Sequence, residues 1–187
     1  SPLLWGVRKL FDFKSLGITN VVSTYQTALN YGAYFMVRSD YEAGFIKRGL
    51  KGGLMRTYTV PVTFERNTNI KRSKKEYFCL HVSSYTQKRK NVIRLISAAE
   101  KYDFKLVIAG NPGSKVRYRE LKNKVRHNSK ISVLGFQTRS ELVRLYSKAK
   151  VFALPSLQEG VGIVALEALD HGCRIVITKN GGPREYF

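Results

Sequence analysis

Acidic residues are scarce in this chain of 187 residues: 13 Asp and Glu stand against 33 Lys and Arg, a formal charge of +20. That balance predicts anionic partners, nucleotides, phospholipid headgroups or nucleic acid, without choosing among them. Cysteine is scarcer still. Cys79 and Cys173 sit alone in apolar stretches without metal-ligand spacing to another Cys or His, which excludes a disulfide framework and predicts buried, reduced thiols. No apolar run approaches the length that spans a bilayer, and no signal-peptide pattern opens the chain. The expectation is a cytoplasmic protein, with the positive charge allowing peripheral association at a membrane surface. No histidine precedes His81, and no Asp-x-Asp pair or G-x-S-x-G elbow occurs anywhere.

What is present is an ordinary globular composition, 43% hydrophobic and 12% aromatic. From Tyr77 onward, short apolar runs alternate with amphipathic ones. Strands are expected at 78–82, 105–109, 131–134, 151–154 and 175–177. Helices are expected at 90–101, 115–127, 138–149 and 161–171. In the third of these, Thr138 and Glu141 form a T-x-x-E capping box, with Leu142, Leu145, Tyr146 and Ala149 on one face. Strands apolar on both faces and separated by helices imply a parallel sheet covered on both sides, hence an α/β, Rossmann-like doubly wound domain over 77–187.

Upstream, a strand at 34–37, a helix at 40–49 and a strand at 57–62 read as the tail of another α/β unit, 1–62, with Lys51-Gly-Gly53 as a break. Residues 63–76, rich in Arg, Asn and Lys, read as a linker. Both ends have the look of a longer chain cut short.

Ligands of doubly wound sheets bind beyond the carboxyl ends of the strands. After the fourth strand comes Pro155-Ser-Leu-Gln-Glu159-Gly-Val-Gly-Ile-Val-Ala-Leu-Glu167. Gly160 and Gly162 allow close backbone approach and expose N–H groups where a helix starts, the construction of a phosphate site. Ionised Glu159 and Glu167 accept hydrogen bonds only, which suits sugar hydroxyls and a ribose diol. Taken singly, each glutamate is explained more simply as a complement to the helix dipole.

The assembled string Ser156-x-x-Glu159-Gly160-x-Gly162-x-x-x-x-Glu167-Ala168, then Gly172, an apolar strand and Gly181-Gly182-x-x-Glu185, resembles the E-x7-E signature of the family 4 retaining glycosyltransferases. Lys90-Asn91, Ile108-Ala-Gly110-Asn-Pro-Gly113 and Val133-Leu-Gly135-Phe136 agree with it, and the resemblance runs from about Val60 to Phe187. It implies a GT-B fold, of which this chain carries mainly the C-terminal, donor-binding domain. It also implies metal-independent transfer of a sugar from a UDP- or GDP-linked donor to an acceptor hydroxyl with retention, and no further cofactor. Glu159 would face the transferred sugar and Lys90 would neutralise the diphosphate. Glu167 would hold the ribose, and the backbone of Gly160, Val161, Gly162 and Ile163 would meet sugar and diphosphate. Phe136 and Gln137 would lie against the base.

Where many relatives carry an arginine after the first strand, this chain reads Ser83-Ser84, which places Ser84 at the donor. The run Lys88-Arg-Lys90 also reads as a solvated helix start. The family's glycine-rich loop and histidine of the N-terminal domain have no counterpart here. The acceptor, whether glycan, lipid or protein, is not legible. Alternatives are a half-enzyme that needs a partner chain and, more distantly, a basic nucleotide- or nucleic-acid-binding module without transfer activity. Nucleic acid is disfavoured because the cations are not interleaved with exposed aromatics. His81, His127 and His171 are expected to be structural.

Overall fold

The alternation of short apolar and amphipathic segments becomes two parallel-sheet units in the computed structural model of the chain, which describes residues 34–49, 56–64 and 74–187. The units are Ser1–Val62 and Thr63–Phe187.

In the first, β1 (Tyr34–Val37) and β2 (Arg56–Thr59) pair in parallel with Tyr34 opposite Arg56, and α1 (Asp40–Gly49) lies between them in sequence. Ser39 starts the helix by accepting from the Glu42 N–H at 3.2 Å. Asp40 and Glu42 in its first turn, with Lys47 and Arg48 in its last, complement the dipole. The strand expected over 57–62 stops at Thr59, beyond which only the Val60 N–H still reaches the Val37 carbonyl. The break at 51–53 and most of the linker stretch lie outside the described residues.

The second unit runs β3 (Glu76–Val82), a 3-10 turn (Lys88–Lys90), α2 (Val92–Lys101), β4 (Leu106–Ala109), α3 (Lys115–Val125) and β5 (Ile131–Val133). It continues through α4 (Arg139–Lys148), β6 (Ala149–Leu154), α5 (Ile163–Asp170) and β7 (Arg174–Ile177). The five strands are parallel, in the order β5-β4-β3-β6-β7. This is the expected doubly wound sheet, and the order reverses between β3 and β6.

Alternation along β4 divides two cores: Leu106 and Ile108 pack with Leu95, Ile96, Leu121 and Val125. Val107 and Ala109 pack on the other side with Tyr146, Phe152, Ala165 and Ala168. Each wholly buried Leu or Ile contributes about 1.5–3 kcal/mol by leaving water. Both cysteines are free and buried, and burial raises the Cys79 thiol to about 12.

Several boundaries moved for identifiable reasons. The helix expected from Lys90 begins at Val92, because Asn91 takes a left-handed φ of 55° and ends the preceding turn. The helix expected from 161 begins at Ile163, behind a left-handed Gly162. The helix expected to reach residue 127 ends at Val125. Ala149, expected on a helical face, opens β6 instead. The capping box forms as expected: the Thr138 hydroxyl accepts from the Glu141 N–H while the Glu141 carboxylate accepts from the Thr138 N–H at 2.7 Å. Among the described residues no helix is long and apolar enough to cross a membrane.

Candidate active site

At the switch point, the turn after β3 and the loop after β6 face one another at the carboxyl ends of two adjacent strands. They are stitched together by the main chain: the Leu157 N–H donates to the Arg89 carbonyl at 2.7 Å, and the Asn91 side chain donates to the Pro155 carbonyl at 3.1 Å. That second bond accounts for the left-handed Asn91, since asparagine tolerates αL better than most residues and here its amide bridges two loops.

This stitching brings together two residues 69 apart in sequence. Lys90 Nζ donates to Glu159 Oε2 at 2.6 Å, with side-chain exposures of 10% and 13%. Ser156 Oγ donates to the same oxygen at 3.0 Å. Glu159 Oε1 carries no hydrogen bond among the described residues, so it keeps its full acceptor capacity.

The loop is held from behind. The Thr178 hydroxyl donates to the Ser156 carbonyl, and the Gly182 N–H donates to the Glu159 carbonyl at 3.2 Å. Gly181, at φ +86°, passes so close that a Cβ there would sit 2.2 Å from the Glu159 carbonyl oxygen. Gly160, Val161 and Gly162 follow, with Val161 and Gly162 buried. α5 then starts at Ile163, whose N–H and that of Val164 have no intrahelical acceptor. The loop after β6 thus presents the unbonded first N–H groups of α5 and, through Glu159, the Lys90 ammonium. Ser84 lies in the turn after β3, half-buried, its carbonyl accepting from the Gln87 N–H at 3.1 Å.

His81 lies beneath this loop pair, wholly buried. Burial lowers its pKa from 6.5 to about 4, outweighing the opposing effect of the Ala153 carbonyl. The ring is therefore neutral, with Nδ1 donating to that carbonyl at 2.8 Å and Nε2 accepting from Ser83 Oγ at 2.7 Å. It is a brace between β3 and β6, the structural role expected of it. His171 likewise ties to the Glu167 carbonyl through Nδ1 at 2.8 Å, and His127 accepts from Arg126.

Glu167 occupies a second cluster. Its Oε1 accepts from Arg139 Nη1 at 2.5 Å and its Oε2 from the Tyr146 hydroxyl at 3.0 Å. Arg139 opens α4 behind its N-cap Thr138, two residues after Gln137, and of this stretch it is Arg139 that reaches the carboxylate. Phe136 is 77% exposed, and the Gln137 amide donates to the Phe136 carbonyl at 3.0 Å. The structure thus joins Lys90 to Glu159 directly and Glu167 to Arg139 and Tyr146 of α4, while among the described residues Phe136 and Gln137 make no bond to either glutamate.

Four contributors were not singled out as site residues in the sequence. Arg139 and Tyr146 hold Glu167, Ser156 holds Glu159, and Asn91 clamps the loops. Arg139 and Tyr146 are seven apart on one helical face, a spacing visible in the sequence, and Ser156 stands three residues before Glu159 at the head of the string already read there. Among the described residues no three His, Cys, Asp or Glu side chains gather as a metal site.

Residues 63–187 match the family described as glycosyl transferases group 1. The chain is 32% identical over 136 residues to an uncharacterized glycosyltransferase of Methanocaldococcus jannaschii, covering 68% of this chain and 35% of that protein. It is 34% identical over 95 residues to a D-inositol 3-phosphate glycosyltransferase of Mycobacterium sp., covering 48% of this chain and 22% of that one. The chain thus spans about a third or less of the length of these relatives. Among solved structures, Anabaena HepE in complex with UDP and glucose aligns at a TM-score of 0.68 and 18% identity over 89% of this chain and 50% of that one. An S. aureus TarM complex with UDP aligns at 0.70 and 18% identity over 85% and 32%. These likenesses show a GT-B-like fold, and with the family match they establish that the chain belongs to the glycosyl transferases group 1 family.

Proposed function

We propose that this chain is the donor-binding part of a retaining, metal-independent glycosyltransferase of the family 4 type, which takes a nucleoside-diphosphate sugar. The observation that carries the reading is the Lys90–Glu159 pair at the sheet's switch point, on the loop that leads into the first N–H groups of α5. The solved relatives named above hold UDP, which makes a UDP-linked sugar the first donor to test, with GDP-linked sugars second.

Each group has a distinct task. As the bond to the sugar breaks, negative charge grows on the departing diphosphate. An ammonium and fixed N–H dipoles lower the energy of that charge with little reorganisation. Lys90 has three donors, one of them used by Glu159, so two remain for phosphate oxygens. Glu159 Oε1 is free to accept from a sugar hydroxyl while Oε2 stays with Lys90. The two oxygens of Glu167 each keep a lone pair beyond the bond they already accept, enough for a ribose diol. The exposed Phe136 ring lies beside the place of the base.

Calorimetric titration with UDP, GDP, ADP and their glucose conjugates, on the wild type and on Glu167→Ala, tests this. One diphosphate is expected to bind selectively, and the substitution is expected to weaken it about tenfold or more, the loss of a charge-assisted hydrogen-bond pair. A folded chain that binds none of them, or binds equally well without Glu167, removes the proposed donor site.

A further inference from the structure

Away from the crevice, and sharing no residue with it, a groove of about 740 Å³ runs between the second half of α3 and the edge strand β5. Arg119, Lys122 and Arg126 line it, at i, i+3 and i+7, a spacing that sets them along one side of the helix and its end. All three are exposed. Asparagines, serines and a few aliphatic side chains complete the lining, and no lining residue is acidic; Glu120, the one acid of α3, is not among them.

The other wall is the outermost strand of the sheet. Toward β4, the Lys130 carbonyl accepts from the Leu106 N–H at 2.9 Å, and the Leu134 N–H donates to the Ile108 carbonyl at 2.7 Å. Alternation along a strand therefore turns the backbone groups of Ile131 and Val133 to the open side. The Ile131 N–H is taken up by the Asn128 carbonyl at 3.1 Å. The Val133 N–H and both carbonyls are left on the unpaired side of the sheet.

We propose that this edge receives an acidic, extended segment of another protein, paired as an added strand against β5 with its carboxylates against Arg119, Lys122 and Arg126. Strand addition draws affinity from main-chain hydrogen bonds and specificity from alternate side chains, and the groove offers both an edge and a cationic wall. A second copy of the chain is disfavoured because it brings the same charge of +20. The chain's own residues outside the described ones hold only Asp12 and Glu65 as acids, too few to supply the segment. A nucleic acid would want aromatic platforms, and no aromatic residue lines the groove. A bilayer would want a convex surface with apolar side chains to insert, not a channel beside a strand. The cations that keep such an edge from pairing with its own copies are the ones that would draw an acidic strand to it.

The test uses a fluorescein-labelled peptide of alternating Glu and Val, followed by anisotropy with the 187-residue chain. Binding is expected for this peptide and not for its Lys–Val counterpart. Replacing Arg119, Lys122 and Arg126 together by Ser is expected to weaken it about tenfold or more. These side chains are exposed, so circular dichroism should show an unchanged fold. Peptides N-methylated at alternate residues separate pairing from mere charge attraction, and they need no protein variant. Methylation in one parity should abolish binding, and in the other leave it intact. Indifference to parity, or full affinity in the triple variant, overturns the proposal. Tighter binding of phosphatidylcholine–phosphatidylserine vesicles or of a thymidine oligonucleotide, lost in the same variant, overturns it in favour of that ligand.

Discussion

The two glutamates of the signature are held in opposite ways. Glu159 is enclosed: its partner lysine is buried, its loop is bonded to the turn after β3, and Gly181 lies against its carbonyl. Glu167 has one buried partner, Tyr146, and one, Arg139, whose side chain is 66% exposed. The inner half of the crevice is therefore fixed before any ligand arrives, while the outer half keeps side chains that can turn. A diphosphate and its sugar need fixed geometry, because charge must be met where it develops. A base read from its face can be met by adaptable groups.

The largest break in that contrast should come from Gly181→Ala. A Cβ would stand 2.2 Å from the Glu159 carbonyl oxygen, against backbone that cannot swing away, at φ +86°. A loss of about 4 kcal/mol is expected in urea unfolding, and a loss under about 1 kcal/mol would mean the loop is free to shift. Next is Lys90→Met, which strands Glu159 with only Ser156 and should cost about 3 kcal/mol. The double variant Lys90→Met, Glu159→Leu should recover much of that stability, since no buried charge then lacks a partner. No recovery would show that the lysine acts through packing and not through the pair.

His81 gives the inner region a pH signature. Its pKa in the folded chain is about 4, against 6.5 for the unfolded chain. The unfolded state thus takes up the proton first. This contribution to stability is complete above about 6.5 and is lost as pH falls toward 4, amounting to about 3 kcal/mol. Urea midpoints at about pH 7.5 and about pH 4.5 should differ by less in His81→Gln than in the wild type. Comparing slopes cancels the carboxylates common to both, and equal slopes would mean the ring protonates without strain.

How much of this was legible in the sequence depended on the range of the causes. The strand and helix alternation from 78 to 177 was legible because burial on two faces writes short, unbroken apolar runs between amphipathic ones, and the T-x-x-E box because its bonds span three residues. The positions of Glu159, Gly160, Gly162 and Glu167 were legible as a string. Lys90 was legible too, but its pairing with Glu159 across 69 residues was not, nor was Arg139 as the partner of Glu167 across 28. Only the strand order sets those pairs side by side. The short misses, Asn91 breaking α2 and Ala149 joining β6, have the same origin. A cross-loop bond fixes the first, and a sheet register that puts Ala149 opposite Glu76 fixes the second, over local propensity.

The smallest effect should fall on the outer half and still distinguish its two partners. Arg139→Gln removes a mostly exposed guanidinium, and exposed ion pairs contribute at most about 1 kcal/mol, so little stability should be lost. Tyr146→Phe removes a buried hydroxyl from the other oxygen, leaving that oxygen short of a donor, at about 1–2 kcal/mol. If Tyr146 fixes the carboxylate and Arg139 only covers it, diphosphate affinity should fall further in Tyr146→Phe than in Arg139→Gln. The Arg139→Gln loss should also shrink as salt rises, because only that contact is open to screening. The reverse order of affinities would move the outer half's anchor to the arginine, and with it the boundary between the fixed and the adaptable parts of the crevice.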